Sequence, residues 1–179
     1  MDDIAANRPA EYAIRLATEA DLPTLPSIEE SAGRLFAGYD ASETGDVNVT
    51  ADRHLTHQAV QDERLWVAMH GTDVVGFALA TEIDGEAHLY EIDVLPEHGR
   101  RGVGRALIET VRRWASTKGY PAVTLSTRQD VPFNGPFYAR LGFATVVDDA
   151  LTPGLQALRA EEERRGLDLS RRAIMRLAL

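Results

Sequence analysis

The sequence predicts an α/β protein in which helices flank a central, mostly antiparallel sheet. Residues 65–95 alternate between apolar and polar side chains, with turn residues at 71–73 and at Asp84-Gly85. An Asp-Gly pair between two alternating runs is a strong hairpin signal, because both central residues need positive φ. Apolar residues three and four apart, typical of amphipathic helices, occur over 21–38 and again from Val103 onward. We therefore predict an antiparallel meander with helices before and after it in the chain.

The elements before the meander follow from the same two periodicities. Residues 1–10 are polar without periodicity and are expected to be flexible, whereas 12–17 alternate as a first strand. A helix is predicted over 21–38. The segment 39–53 is rich in Asp, Ser, Thr and Gly and indicates a loop, and a further helix is predicted over 51–63.

After the meander, Pro96 ends the third strand and a helix begins near Gly102. The apolar stripe of this helix consists of Val103, Ala106, Leu107, Val111, Trp114 and Ala115. The remaining predicted elements are a strand over 122–127, a short helix from Asn134 to a stop at Gly142, a strand over 143–147, a helix over 153–165 and a last strand over 171–179. Because no linker divides these elements, we predict a single domain over 1–179.

Composition narrows the possible functions. The chain has 179 residues, and 19 Lys plus Arg against 28 Asp plus Glu give a net charge of −9, which disfavours nucleic acid and favours a cationic partner. There is no cysteine, which excludes disulfides, thiolate metal sites and a cysteinyl intermediate. The sequence shows no signal-peptide pattern and no apolar run of about 18 residues, so we expect a cytoplasmic protein with no membrane partner.

A glycine-rich turn at 99–104 is the most informative segment for function. Free backbone N–H groups and the positive end of the helix dipole at such a turn suit an anionic phosphate, and Arg100, Arg101 and Arg105 add formal charge. The spacing Gly-x-x-Gly-x-Gly matches neither the dinucleotide fingerprint nor the P-loop. The alternative interpretation is a glycine-rich turn with solvated arginines.

Two segments resemble the GNAT superfamily of acetyl-CoA-dependent N-acetyltransferases. The first runs from Ile92 to Leu107, IDVLPEHGRRGVGRAL, and the second from Asn134 to Phe143, NGPFYARLGF. The order of the predicted elements is also similar to that family over nearly the whole chain. The family pattern Gln/Arg-x-x-Gly-x-Gly/Ala begins here with Gly99, and arginine follows at the next position.

The resemblance implies a GNAT-type fold with acetyl-CoA as the co-substrate. The strands 87–95 and 122–127 would splay, with the pantetheine arm between them. The residues it assigns to acetyl-CoA binding are Ile92 and Val94 in the strand, Arg100, Arg101, Gly102, Val103, Gly104 and Arg105 in the turn and helix, and Asn134 and Phe137 in the later motif. An N–H near Ile92 would polarise the thioester carbonyl. The amine would then attack directly in a ternary complex, which the absence of cysteine also favours.

The resemblance also suggests catalytic residues. Tyr138, after Phe137, would protonate the leaving thiolate; the alternative is a core tyrosine with its hydroxyl at the surface. On strand 87–95 the period of two places His88 and Tyr90 on one face and Glu91 on the other. His88 is the first candidate for the base and Glu91 the second. Equally open are a His88 that is merely hydrogen-bonded in the interior and a mechanism without a dedicated base.

Other chemistry-bearing residues have simpler interpretations. Ser126 could contact substrate or cofactor, and Phe36, Tyr39 and Trp66 could line an acceptor pocket or belong to the core. The pair His54 and His57 has no third ligand, so we predict no metal site. The run 161–165, Glu-Glu-Glu-Arg-Arg, is predicted to be a solvated helix face.

These observations predict an N-acetyltransferase whose acceptor is an amine of a small molecule or of a protein. A homodimer is left open. The alternatives are a non-catalytic acyl-CoA-binding module and an unrelated protein whose turn binds ATP or a dinucleotide.

Overall fold

The computed structural model describes residues 11–39 and 52–179, and all structural statements refer to these residues. The strands are β1 (Tyr12–Leu16), β2 (Leu65–His70), β3 (Asp73–Ile83), β4 (Glu86–Val94), β5 (Ala122–Arg128), β6 (Ala144–Thr145) and β7 (Arg172–Ala178). The α-helices are α1 (Leu25–Gly33), α2 (Arg53–Gln61), α3 (Val103–Lys118), α4 (Gly135–Arg140) and α5 (Pro153–Arg164). Short 3-10 turns flank α1 at Leu22–Thr24 and Arg34–Gly38, and others lie at Pro96–His98, Asp148–Ala150 and Leu169–Arg171.

The seven strands form a mixed sheet in the order β1-β2-β3-β4-β5-β7-β6. The pairs β1/β2, β2/β3, β5/β7 and β6/β7 are antiparallel, whereas β4 and β5 run parallel. A parallel pair needs a crossover, and α3 is the helix that makes it. The register of β4 with β5 extends from Ala87↔Val123 to Leu89↔Leu125, while the two strands continue to Val94 and Arg128. The predicted mixed sheet, mostly antiparallel and accompanied by helices, is confirmed.

Two compact units divide these elements. The first consists of the described residues within Met1–Leu35, Asn48–Ala80 and Glu91–Arg113, and the second of those within Phe36–Val47, Thr81–Tyr90 and Trp114–Leu179. Leu25, Ile28, Phe77, Leu79, Leu107 and Ile108 are fully buried in the first. Val123, Leu125, Val131, Phe143, Leu155 and Ile174 are buried in the second. The single domain over 1–179 stays a prediction.

Most predicted elements are present with shifted ends. The hairpin turn has both residues at positive φ, +51° for Asp84 and +77° for Gly85. Helix α2 begins at Arg53 because the Asp52 carboxylate accepts the Leu55 N–H at 3.0 Å, which caps it. The strand predicted over 143–147 is only Ala144–Thr145, because the chain turns at Asp148.

Two predicted segments lie partly or wholly outside the described residues, and one predicted helix differs from the observed one. Residues 1–10, and 40–51 of the predicted loop, lie outside the described part of the chain. The helix predicted over 21–38 consists of α1 with a 3-10 turn at each end. Within 11–39 and 52–179, the structure contains no helix that is long and apolar enough to span a bilayer.

Candidate active site

The turn between β4 and α3 has a backbone shape suited to an anion. Arg100 and Gly102 both have left-handed backbone conformations, with φ of +57° and +83°. Such a conformation is uncommon for a residue with a side chain. The Gly102 carbonyl accepts the Ala106 N–H at 2.9 Å, so the helix starts directly after it. The N–H groups of the first helical turn therefore have no partner within the helix and point toward its N-terminal end.

The charge around this turn is positive. Arg100, Arg101 and Arg105 are exposed, and within the described residues none of the three forms an ion pair. The first turn of α3 also contains no acidic residue. Val103 is buried and anchors the helix start. Exposed guanidinium groups beside a helix N-terminus have the positive charge and the N–H donors that an anion requires.

The second half of β4 leads into this turn. Ile92 and Val94 are partly exposed there. A Cβ at Gly76 of β3 would lie 2.7 Å from the Asp93 carbonyl oxygen, which is closer than real contacts allow. Glycine therefore lets the two backbones approach each other, and the Val75 carbonyl accepts the Leu95 N–H at 2.9 Å. The strand that leads to the β4–α3 turn is thus held by backbone contacts.

A half-buried aspartate on β4, with one carboxylate oxygen fully buried, was not anticipated from the sequence. Asp93 has its Oδ2 atom inaccessible to solvent and without a hydrogen-bond partner. Burial raises its pKa well above the usual range, and the neighbouring charges of Glu91 and Glu29 raise it further. Glu91 also hydrogen-bonds to Asp93, which favours the protonated form of Asp93. Glu91, the second candidate base, therefore lies beside a carboxyl group whose pKa is raised.

His88 lies in the interior of the second unit, where only 2% of its surface is exposed. Its Nδ1 atom is 2.9 Å from the Thr124 hydroxyl oxygen, which can donate to the Ala87 carbonyl 3.3 Å away. If the Thr124 hydroxyl donates to the Ala87 carbonyl, the hydroxyl oxygen accepts a hydrogen bond from Nδ1–H of His88. The lone pair of the neutral imidazole is then on Nε2. Burial lowers the pKa of His88 to about 4. His88 is consequently neutral at pH 7.

Tyr138 lies on α4, which begins after Asn134. The Asn134 carbonyl accepts the Tyr138 N–H at 3.0 Å, and the Asn134 side chain makes no capping bond. A Cβ at Gly135 would meet the Gln129 Cα at 2.8 Å, so glycine allows α4 to approach the end of β5. Tyr138 is buried at 8% exposure between the rings of Phe137 and Phe143, at centroid distances of 5.4 and 5.8 Å. Its position is thereby fixed by packing on both sides.

A polar network links α5 to the sheet of the second unit. Glu162 of α5 accepts the Ser126 hydroxyl at 2.5 Å and two N–H groups of Arg172 at 2.9 and 3.1 Å, all on its Oε1 atom. The Oε2 atom is buried without a hydrogen-bond partner. Directly after α5, Arg165 interacts electrostatically with Tyr90 of β4. The prediction that the run 161–165 is wholly solvated is therefore wrong for Glu162.

Aromatic residues gather at another place in the second unit. Phe133 contacts Phe36 and Tyr39 edge-to-face, at centroid distances of 5.2 and 5.8 Å. Arg128, almost fully buried, pairs with Asp130 and also donates to the Tyr39 carbonyl at 3.5 Å. Trp66, by contrast, is a buried core residue of β2.

The two histidines of α2 do not form a metal site. His54 and His57 are exposed, and His57 pairs with Glu19 at 2.5 Å. In the described part of the chain, no group of three or more potential ligands is arranged to hold a metal ion.

Each unit contains part of the predicted site. The first unit brings together Glu91, Ile92, Val94 and the turn residues Arg100, Arg101, Gly102, Val103, Gly104 and Arg105. The second contains His88, Asn134, Phe137 and Tyr138. The sequence interpretation missed Asp93 and Glu162, whose burial depends on contacts with other elements.

Comparisons with known proteins identify the class of enzyme. The model of the acetyltransferase (GNAT) family matches residues 27–143, more than half of the chain. The ribosomal protein bS18-alanine N-acetyltransferase of Salmonella typhimurium is 28% identical over 130 residues, which is 73% of this chain and 79% of that protein.

Solved structures agree in fold. The PaiA N-acetyltransferase of Thermoplasma acidophilum in complex with coenzyme A has a TM-score of 0.69 at 16% identity, over 94% of this chain and 99% of the other. The ribosomal-protein-S18-alanine N-acetyltransferase of Escherichia coli has a TM-score of 0.59 at 20% identity, over 93% of both chains.

The chain belongs to the GNAT acetyltransferase family. It is an acyltransferase, an N-acetyltransferase whose co-substrate is acetyl-CoA. The predicted class of enzyme, the reaction and the co-substrate are confirmed.

Proposed function

We propose that this enzyme transfers the acetyl group to a primary amine by direct attack within a ternary complex. The amine nitrogen forms a bond to the acetyl carbon and the carbon–sulfur bond breaks, while the amine loses a proton and the thiolate gains one. The observation that carries the proposal is the N-terminus of α3, where three exposed arginines without ion pairs among the described residues surround a left-handed turn. That arrangement suits the pyrophosphate of a CoA thioester.

The proposed binding residues divide between backbone and side chains. The N–H groups of Gly102, Val103, Gly104 and Arg105 would bind phosphate oxygens, and Arg100 and Arg101 would add charge-assisted contacts. The backbone at Ile92 and Val94 would pair with the pantetheine arm. Asn134, whose side chain makes no capping bond, and Phe137 are the further residues proposed to bind acetyl-CoA.

Tyr138 is the proposed acid for the leaving thiolate. A phenol keeps its proton at neutral pH and can donate it. The packing of Tyr138 between Phe137 and Phe143 supports this role because a fixed side chain loses little freedom when substrate binds. In this role the Tyr138 hydroxyl donates the proton, and the ring holds the hydroxyl in place.

Two residues are proposed for removal of the amine proton. His88, with a pKa near 4, is too weak a base to hold that proton, so its role would be a transient relay through Nε2. Glu91 lies beside Asp93, whose pKa is raised by burial and by the Glu91 charge, and the Glu91 carboxylate is the alternative acceptor of the amine proton. Because His88 is a weak base, we propose Glu91 as the first candidate for the base and His88 as the second, the reverse of the ranking from the sequence.

The acceptor class is a further part of the proposal. The similar enzymes from Salmonella and Escherichia coli are named for an N-terminal alanine of a ribosomal protein, so a protein α-amino group is one acceptor class for this chain. Small primary amines are the other, and the net charge of −9 favours cationic acceptors. A cytoplasmic location and a homodimer stay predictions from the sequence.

Ligand-dependent unfolding tests the co-substrate site first. Acetyl-CoA and CoA at about 100 times Kd should raise the free energy of unfolding by about 2.7 kcal/mol, while ATP and NADH should not. Release of free CoA in the presence of putrescine, or of a hexapeptide that begins with alanine, would then demonstrate transfer. Binding of acetyl-CoA without release of CoA in the presence of either acceptor would contradict the proposed primary-amine acceptor.

A further inference from the structure

Glu162 has a carboxylate oxygen that the protein itself leaves without a partner. The side chain is 8% exposed, and its Oε1 atom takes all three donors, one from Ser126 and two from Arg172. Its Oε2 atom is buried and accepts nothing. A buried carboxylate oxygen without a donor is costly and rare in native proteins. The surroundings thus fix the orientation of the carboxylate and leave one oxygen for a donor from elsewhere.

Glu162 lies on the same side of the sheet as His88 and Tyr90 of β4. His88 is opposite Thr124 in the parallel register, so Tyr90 and Ser126, two residues further along each strand, lie on that same face. Glu162 accepts a hydrogen bond from Ser126, and Arg165, the residue after α5, interacts electrostatically with Tyr90. The last turn of α5 therefore covers this face of β4 and β5.

Helix α5 is held rigidly in this position. At its start the Gly154 N–H donates to the Asp84 carboxylate at 2.7 Å, and Leu155 is buried. At its end the chain turns at Gly166, and the following Leu167 is buried. Rigid support on both sides is what a residue that positions a substrate requires.

The helix lies outside the part of the chain that matches the family model. That match ends at residue 143, whereas Glu162 and Arg172 follow it. Two members of the network therefore follow the matched segment, whereas Ser126 lies within it.

We propose that the free oxygen of Glu162 binds the amino group of the acceptor, which makes Glu162 a specificity residue for primary amines. The inference rests on the proposed function. An ammonium or amine N–H is the donor that Oε2 lacks, and a carboxylate is the acceptor that distinguishes an amine from an alcohol or a thiol most strongly. Ser126 and Arg172 are positioning residues, because they hold Oε1 and thereby orient Oε2.

The test uses Glu162→Gln with Glu163→Gln as its matched control. Glu163 is the exposed neighbour on the same helix, and its substitution removes the same charge. Acceptors are putrescine and the alanine-initiated hexapeptide, and CoA release is followed at saturating acetyl-CoA. We expect Glu162→Gln to raise KM for the amine roughly ten- to a hundredfold while KM for acetyl-CoA stays unchanged. Glu163→Gln should leave both constants as in the wild type.

Ser126→Ala provides a second variant in case Glu162→Gln fails to fold. It keeps the carboxylate charge but removes one of the three donors to Oε1, so KM for the amine should rise by a smaller factor, about threefold. An unchanged KM for the amine, in whichever of these variants folds, would overturn the inference. An equal rise in KM for the amine and for acetyl-CoA would also overturn it.

The proposed function can fail separately. A wild-type protein that acetyl-CoA does not stabilise would contradict the co-substrate site itself. A wild-type protein that is stabilised but releases CoA with neither amine would contradict the proposed primary-amine acceptor and, with it, the role of Glu162. A wild-type protein that releases CoA, beside a Glu162→Gln variant whose amine KM is unchanged, would contradict the role of Glu162 alone.

Discussion

The imidazole Nδ1 of His88 and the hydroxyl oxygen of Thr124 lie 2.9 Å apart across the parallel pair β4/β5. This bond gives one ring nitrogen a hydrogen-bond partner in the protein interior, where only 2% of the His88 surface is exposed to solvent. A protonated imidazole there would lose its hydration without gaining a carboxylate partner, which is why burial lowers the pKa to about 4. The histidine that the sequence suggests as a base is thus neutral over the whole physiological range.

The stability of the protein should therefore fall in mild acid because of His88. Its pKa is about 4 in the folded chain and 6.5 in the unfolded chain, so the unfolded state binds the proton more tightly. The contribution of the neutral histidine is fully present above pH 6.5 and is lost between 6.5 and 4, by about 3 kcal/mol at most. Urea unfolding at pH 7, 6, 5 and 4 should show a steeper loss for the wild type than for His88→Gln. Parallel curves for the two proteins would contradict the assignment.

The opposite pH dependence is expected from Asp93. Its pKa is raised above 3.8 by burial and by the charges of Glu91 and Glu29, so the folded state binds the proton more tightly than the unfolded state. The stabilisation associated with this proton is fully present below pH 3.8 and is lost as pH rises through the folded-state pKa.

Asp93→Asn tests the direction of this pH dependence of stability, because asparagine, like the protonated acid, is uncharged. The variant should gain stability relative to the wild type at pH 8, by about 1 kcal/mol or more, and lose that advantage toward pH 4. Glu97→Gln, an exposed acid after the same strand, is the control and should show no such trend. An Asp93→Asn protein that is less stable than the wild type at pH 8 would mean that the carboxylate is charged and partnered.

The arginines of the β4–α3 turn should determine the affinity for acetyl-CoA. Replacement of Arg100 and Arg101 by alanine should weaken acetyl-CoA binding roughly ten- to a thousandfold, since charge-assisted phosphate contacts are lost. The loss should shrink as salt rises, because both side chains are exposed. Isothermal titration at two salt concentrations measures it, with Lys118→Ala at the other end of α3 as the control. Equal Kd values in the double variant and the wild type would remove the pyrophosphate assignment.

The elements that sequence patterns predicted well are those with local causes. Asp84-Gly85 has the positive φ values of a tight turn. Of the predicted stripe of α3, Val103, Leu107, Val111 and Ala115 are buried at the helical spacing, and Ala106 and Trp114 are half-buried. Turn chemistry and periodicity are properties of neighbouring residues, so one sequence is enough to detect them.

The polar groups that were missed depend on distant partners. Glu162 stands in a run of three glutamates, but it follows the buried Leu155 by seven residues and so lies on the same face of α5. That spacing was a usable signal for its burial. Its partners Ser126 and Arg172, and the proximity of Glu29 to Asp93, follow only from the packing of separate elements.

The hydroxyl of Tyr138 should matter for the chemical step rather than for binding. Tyr138→Phe keeps the ring that packs between Phe137 and Phe143, so the fold and the affinity for acetyl-CoA should be retained. Loss of a general acid should lower kcat by about a hundredfold or more, with KM for both substrates little changed. Tyr120→Phe is the matched control, because the Tyr120 hydroxyl donates to Glu82 at 2.6 Å at an exposed position. Steady-state kinetics of CoA release compares the three proteins. If kcat of Tyr138→Phe equals that of Tyr120→Phe, the thiolate leaves without this proton and Tyr138 is a core residue.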